Sequence, residues 1–107
     1  MSVADNEEAE AYKAEAQRRE RLLYTTAELN NKGIELEKRG EVPAAIATYE
    51  ECIKLRYPAT HAYWRLAVLY RKAKDKENEL RVIRVALEVF PGDEKFTARL
   101  NKVLAMK

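Results

Sequence analysis

Positions 34 residues apart carry matching side chains through the middle of this chain: Gly33 recurs as Ala67, Leu36 as Tyr70, Ile46 as Leu80, Tyr49 as Ile83, Cys52 as Ala86, Ile53 as Leu87 and Leu55 as Val89. Small residues fall on small ones and bulky apolar residues on bulky apolar ones. A period in this range means supersecondary units that stack because none buries its apolar face alone. Such arrays serve mainly as binding surfaces. The recurrence therefore constrains how the chain acts as well as how it folds.

The remaining composition narrows the class. At 107 residues the chain is one small domain. A chain of this size buries about 65% of its unfolded surface, enough for a modest core. Charged residues make up 36% of it, with only three Gly and three Pro. Long amphipathic helices with charged outer faces and short turns fit that balance. The net charge of +2 is too small to indicate a nucleic-acid partner. One cysteine, Cys52, rules out an internal disulfide framework and a cysteine-based zinc site, and reads as a small buried residue. The acidic start, Asp5-Asn6-Glu7-Glu8, is unlike a secretory signal, and no apolar run approaches the roughly 20 residues that cross a bilayer. A cytoplasmic protein without a membrane partner is the expectation.

Periodicity and punctuation place five helices. Residues 1–5 are expected to fray. From Asn6 to Arg39 no Pro interrupts, and Leu22, Thr26, Leu29, Gly33 and Leu36 recur at helical spacing. One long helix, or two broken near Thr25-Thr26, satisfies this pattern, although Thr-Thr alone is a weak breaker. Gly40 suits a helix C-terminus and Pro43 the first turn of the next helix, predicted over 43–56. Its apolar set is Ala45, Ile46, Tyr49, Cys52, Ile53 and Leu55. Thr60 is placed as the cap of a third helix ending near Ala73, and a fourth spans 76–90. Asp93 caps a fifth, in which Thr97, Leu100 and Leu104 keep the period.

Helix pairs of this length with small–large packing positions resemble the tetratricopeptide repeat. In the first unit Gly33 stands at the family's small residue, Leu36 at its Tyr, Gly40 at its turn Gly, Ala45-Ile46 at its small–aliphatic pair, Tyr49 at its aromatic and Cys52 at its small crossing residue. The second unit matches at Leu66-Ala67, Tyr70, Leu80, Ile83, Ala86-Leu87 and Pro91. Leu29 and Tyr63 replace the usual early Trp, Lys74 the turn Gly, and Glu79 the usual Ala. The resemblance implies an all-α, tetratricopeptide-like α-solenoid, with antiparallel helix pairs in a right-handed superhelix. It divides the chain into a charged helical extension (1–25), two repeats (26–59 and 60–92) and a C-terminal capping helix (93–107).

Catalytic constellations are not legible. One histidine, His61, cannot build a metal cluster or a triad, and no Gly-rich phosphate loop occurs. The carboxylates, Glu79 included, read as a solvated face interleaved with Lys and Arg. The expectation is no enzyme and no cofactor.

The resemblance further implies a concave groove lined by the first helix of each unit. Carried over, that face comprises Asn30, Ile34, Glu37 and Lys38, then His61, Trp64, Val68, Arg71 and Lys72, then Lys95, Ala98 and Lys102. Ile34, Trp64 and Val68 form an apolar strip; Lys38, Arg71, Lys72 and Lys102 ring it with positive charge. An aromatic anchor inside a charged rim is how interface hot spots are built. The opposing possibility is that Trp64 leans into the helix-packing core beside Tyr63. Some domains of this family clamp a chaperone's terminal carboxylate with Lys and Asn. Here Asn30, Ile34 and Arg65 stand at the clamp positions, so that partner is disfavoured. The expected function is a non-catalytic interaction module holding an acidic peptide or partner protein in the groove. The alternative is a structural homo-oligomer that self-associates through the groove or the solenoid edge.

Overall fold

The computed structural model describes the backbone of residues 3–106 and the side chains of residues 7–106. Among these are five α-helices and no strand: α1 (Val3–Lys38), α2 (Val42–Lys54), α3 (His61–Lys72), α4 (Lys76–Val89) and α5 (Glu94–Ala105). The first helix is continuous through Thr25-Thr26. Thr26 avoids breaking it by turning its hydroxyl inward, donating to the Leu22 and Leu23 carbonyls at 2.9 and 3.0 Å. The helix already includes Val3. The expected fraying is therefore not seen at residues 3–5, while residues 1 and 2 lie outside the described residues. At about 1.5 Å per residue α1 is roughly 54 Å long, most of the molecule's 64 Å extent.

Successive helices are antiparallel neighbours. Late α1 meets the middle of α2 where Gly33 lies under the Tyr49 ring, and earlier α1 meets late α2 where the Cys52 thiol donates to the Thr26 carbonyl at 3.3 Å. Phe90, just past the end of α4, sits edge-on to Tyr63 near the start of α3, with ring centroids 5.3 Å apart. Alternate helices run side by side in the same direction. Asn30 meets His61 and Glu37 meets Arg65 between α1 and α3; Glu50 meets Arg81 between α2 and α4. The core lies between the two sets. Ala45, Tyr49, Cys52, Ala62, Tyr63, Leu66, Ala67, Val82, Ile83 and Ala86 are fully buried.

The helix ends show why the turns are short. Gly40, Arg56 and Lys74 all have a positive φ, of 74°, 57° and 59°. At each, the next amide reaches back to a carbonyl five residues earlier: Glu41 to Leu36, Tyr57 to Cys52 and Asp75 to Tyr70. This is the Schellman closure, whose left-handed residue glycine occupies without strain. Thr60 stands at the start of α3 but its side chain makes no capping bond. Asp75 and Asp93 do cap, accepting from the Asn78 and Phe96 amides at 3.2 and 3.0 Å.

One expected face is corrected. In α5 the buried residues are Phe96, Arg99 and Val103, whereas Thr97 and Leu104 are exposed and Leu100 is half-buried. The helix is rotated because Arg99 finds a buried carboxylate, which apolar periodicity cannot register.

Two substitutions test this packing. A β-carbon at Gly33 would lie 2.3 Å from a Tyr49 ring atom. Gly33→Ala should therefore destabilise by about 1–3 kcal/mol in urea unfolding, as overpacked cores do. Lys74→Gly should stabilise by about 0.5–1 kcal/mol, because relief of left-handed strain outweighs the added freedom of the unfolded chain.

Candidate interaction face

The faces of α1, α3 and α5 that lie side by side carry the expected groove residues. Their geometry builds up from two carboxylates that tie neighbouring helices together.

Glu37 is the first. Its Oε1 accepts from the Tyr49 hydroxyl at 2.8 Å and from Arg65 Nε at 3.0 Å, and its Oε2 accepts from the other arm of the Arg65 fork at 2.6 Å. The Arg65 hydrogen bonds hold the Glu37 carboxyl below its ordinary range, against an opposing effect of burial. Burial, followed by the Glu37 contact, pushes the Tyr49 hydroxyl well above its usual range, so it stays a neutral donor. Two turns earlier on α1, Asn30 Oδ1 lies 2.9 Å from His61 Nδ1. Asn30 is buried at 7% exposure. It is thus committed to holding α3 rather than free in the groove.

Glu79 is the second, and its placement corrects the reading of the carboxylates as a solvated face. It is 3% exposed. Arg99, itself buried, brings both arms to it at 2.8 and 3.1 Å, and Arg71 Nε reaches the same carboxylate at 3.1 Å. Burial pushes the Glu79 carboxyl up, but the two guanidiniums outweigh it and the net direction is down. An Arg adjacent in space, not in sequence, makes burial of this charge tolerable. The remaining Arg71 Nη2 is buried with no hydrogen-bond partner among the described residues.

Trp64 lies between these clamps. Tyr63 takes the fully buried core position and donates its hydroxyl to the Tyr57 carbonyl at 2.8 Å. Trp64 is half-buried, edge-on to Phe96 with centroids 5.6 Å apart. Its ring carries two cations, Lys95 Nζ at 3.9 Å and the Arg71 guanidinium at 5.7 Å from the centroid. The structure thus brings Trp64, Arg71 and Lys95 together. Ile34 and Val68 are half-buried, and Lys38, Lys72, Lys102 and Ala98 are exposed. None of Lys38, Lys72, Lys95 and Lys102 forms an ion pair among the described residues. Arg65, outside the groove residues expected from the sequence, joins α3 to α1 through Glu37; its place one helical turn after His61 is the signal the sequence offers for it.

Elsewhere, Cys52 is buried and its thiol is pushed up to about 11 by that burial, which keeps it un-ionised at neutral pH. On the opposite side, Glu50 of α2 joins Tyr70 and Arg81. Among the described residues no group of three or more His, Cys, Asp and Glu could hold a metal, and no helix is long and apolar enough to cross a membrane. No protein-family model and no curated protein matches the chain.

The Glu79 clamp has a measurable consequence. Glu79→Ala strands two guanidiniums, one of them buried, and should cost about 3–5 kcal/mol in chemical unfolding. Because the folded Glu37 and Glu79 carboxyls lie below the ordinary 4.5, their stabilisation is complete above that pH. It should be lost as pH falls through the lower folded values. Thermal melts from pH 7 to pH 3 should be flat and then drop below about pH 4.5, with a shallower drop in the Glu79→Ala variant.

Proposed function

We propose that this chain is a non-catalytic interaction module of tetratricopeptide-like solenoid form, and that the α1–α3–α5 face receives an acidic peptide or partner segment. The observation that carries the reading is Trp64, an aromatic ring backed by Phe96 with Lys95 and Arg71 over it. A half-buried Trp bordered by Lys95, which forms no ion pair among the described residues, and by the Glu79-bound Arg71 offers both of the terms that make a hot spot: apolar contact and charge recognition. Lys72 and Lys102 extend the same positive field, and Ile34 and Val68 supply apolar surface for side chains between acidic residues. The parallel course of α1, α3 and α5, with α2 and α4 behind them, supports the solenoid form and a partner lying across the three helices. Such a module would work in the cytoplasm, where soluble acidic partners are plentiful.

Because Trp64 is the chain's sole tryptophan, its fluorescence reports occupancy directly. A peptide of alternating Glu and Leu should shift its emission saturably, more strongly at low salt than at high salt. The doubly reversed variant Lys95→Glu, Lys102→Glu should bind at least about tenfold more weakly, a change of about 1.4 kcal/mol, with helicity unchanged. Equal binding of a Lys–Leu peptide, or no response to the acidic one at millimolar concentration, would reject the reading.

A further inference from the structure

The part of α1 that extends beyond α2 keeps the face that packs on α2, with none of the other described helices against it. Thr26 and Gly33 on that face are buried against Cys52 and Tyr49. Upstream, at alternating spacings of three and four, the same stripe runs through Leu23, Arg19, Ala16, Tyr12 and Ala9. Such spacing is that of a helix-to-helix seam. Tyr12 is 69% exposed, Leu23 51% and neighbouring Leu22 44%. Where this stripe meets the end of α2, Leu22, Leu23, Leu55 and Pro58 line an apolar groove edged by Arg19 and Arg56.

The charges on this extension are split end to end. Residues 7–16 carry Glu7, Glu8, Glu10 and Glu15 against Lys13, four acids less one base, or −3. Residues 17–25 carry Arg18, Arg19 and Arg21 against Glu20, three bases less one acid, or +2. A parallel partner of the same sequence would oppose like charges. An antiparallel one would oppose each acidic half to a basic half.

We propose that the occupant of this face is the α1 extension of a second copy of the chain, paired antiparallel about a two-fold axis beside Gln17 and Arg18. In that register Tyr12 of each copy lies level with Leu23 of the other and enters the groove between Leu22, Leu23, Leu55 and Pro58; Thr26, the next position on the stripe, is already covered by Cys52, so the two helices cross and the partner helix leaves the seam before Ala9. Ala16 lies level with Arg19, giving the guanidinium room to reach Glu15 of the opposite copy. Lys13 comes within reach of Glu20, and Glu8, a turn from Tyr12, comes within reach of Arg56, whose guanidinium also meets Glu88. The interface is isologous, so every contact occurs twice. It lies beyond the end of α2, away from Trp64 and Lys95. It therefore stands or falls independently of the peptide-binding reading.

Sedimentation equilibrium of the full chain at about 100 µM, where a micromolar interface is saturated, should give a dimer. Tyr12→Ser and Leu23→Lys, both at exposed positions, should give monomers of unchanged helicity. Glu15→Arg and Arg19→Glu should each weaken dimerisation by about tenfold or more, since each places like charges against one another. The double variant Glu15→Arg, Arg19→Glu should restore it. A monomeric parent chain overturns the proposal, as does a dimer indifferent to Tyr12→Ser and Leu23→Lys. Single charge reversals that the double reversal does not rescue overturn the antiparallel register. A dimer lost only on Lys95→Glu places self-association on the α1–α3–α5 face and overturns it too.

Discussion

The Tyr49 ring fills the space where a side chain on Gly33 would be, and much of the first half of the molecule depends on that. Because residue 33 has no β-carbon, α1 and α2 approach until the ring is fully buried. Its hydroxyl is then delivered to Glu37. Glu37, fixed from below, presents both oxygens to Arg65 and so draws in α3. The ring edge meets His61, whose imidazole is held in turn by Asn30. One missing methyl thus determines the distance between two helices and, through two polar links, the position of a third. The second hairpin has Ala67 and Ile83 at the corresponding places. With no phenol to deliver a hydrogen bond, its polar link shifts to Glu79 on the later helix.

Much of this was legible in the residues, because small-on-small recurrence reports close backbone approach directly. Gly33, Ala67, Cys52 and Ala86 are all buried as that recurrence implies, and Gly40 ends α1 as its freedom to adopt a positive φ allows. The rest was not legible for two reasons: backbone hydrogen bonds form whatever the residue type, and the counter-charge of a buried carboxylate lies far away in sequence. Arg56 and Lys74 close helices in a conformation that favours glycine, held there by backbone hydrogen bonds that any residue type can make. Glu79 looked like surface because a carboxylate is buried only with a counter-charge, and Arg99 is twenty residues away. Tyr63 and Trp64 could not be ranked from composition. The hydroxyl of Tyr63 has the Tyr57 carbonyl to satisfy it inside, whereas the face of Trp64 is occupied by cations.

The positive charges divide by chemistry. Among the described residues every ion pair uses arginine: Arg39, Arg56, Arg65, Arg71, Arg81 and Arg99. Five of these pairs join different helices or turns. The planar fork engages two oxygens in fixed geometry, and guanidinium is less strongly hydrated than ammonium. Arginine therefore suits the spaces between helices, and lysine is left on the surface. The lysines near Trp64 keep their charge uncommitted to internal carboxylates. A face whose arginines hold the fold and whose lysines remain free can bind anionic partners without loosening its own packing. Arg71 serves the fold through Nε on Glu79 while its guanidinium also lies over the Trp64 ring.

A buried ion pair is weak support for stability in itself, since well-packed apolar residues of similar volume often do as well or better. Its value in α5 is orientation. This helix has two candidate apolar rows, Phe96 with Val103 and Leu100 with Leu104. Each would satisfy a helical period, and rotation by a single position exchanges them. Hydrophobic burial is non-directional and discriminates poorly between such rows. Arg99 discriminates, because only the rotation that buries Phe96 and Val103 brings its fork onto Glu79 at 2.8 and 3.1 Å. The other rotation would leave Glu79 in the core with half its counter-charge. Burying Phe96 also gives Trp64 the ring it rests on. The carboxylate between α3, α4 and α5 thus sets which face the last helix turns inward, and with it the backing of the aromatic side chain on which recognition is proposed to depend.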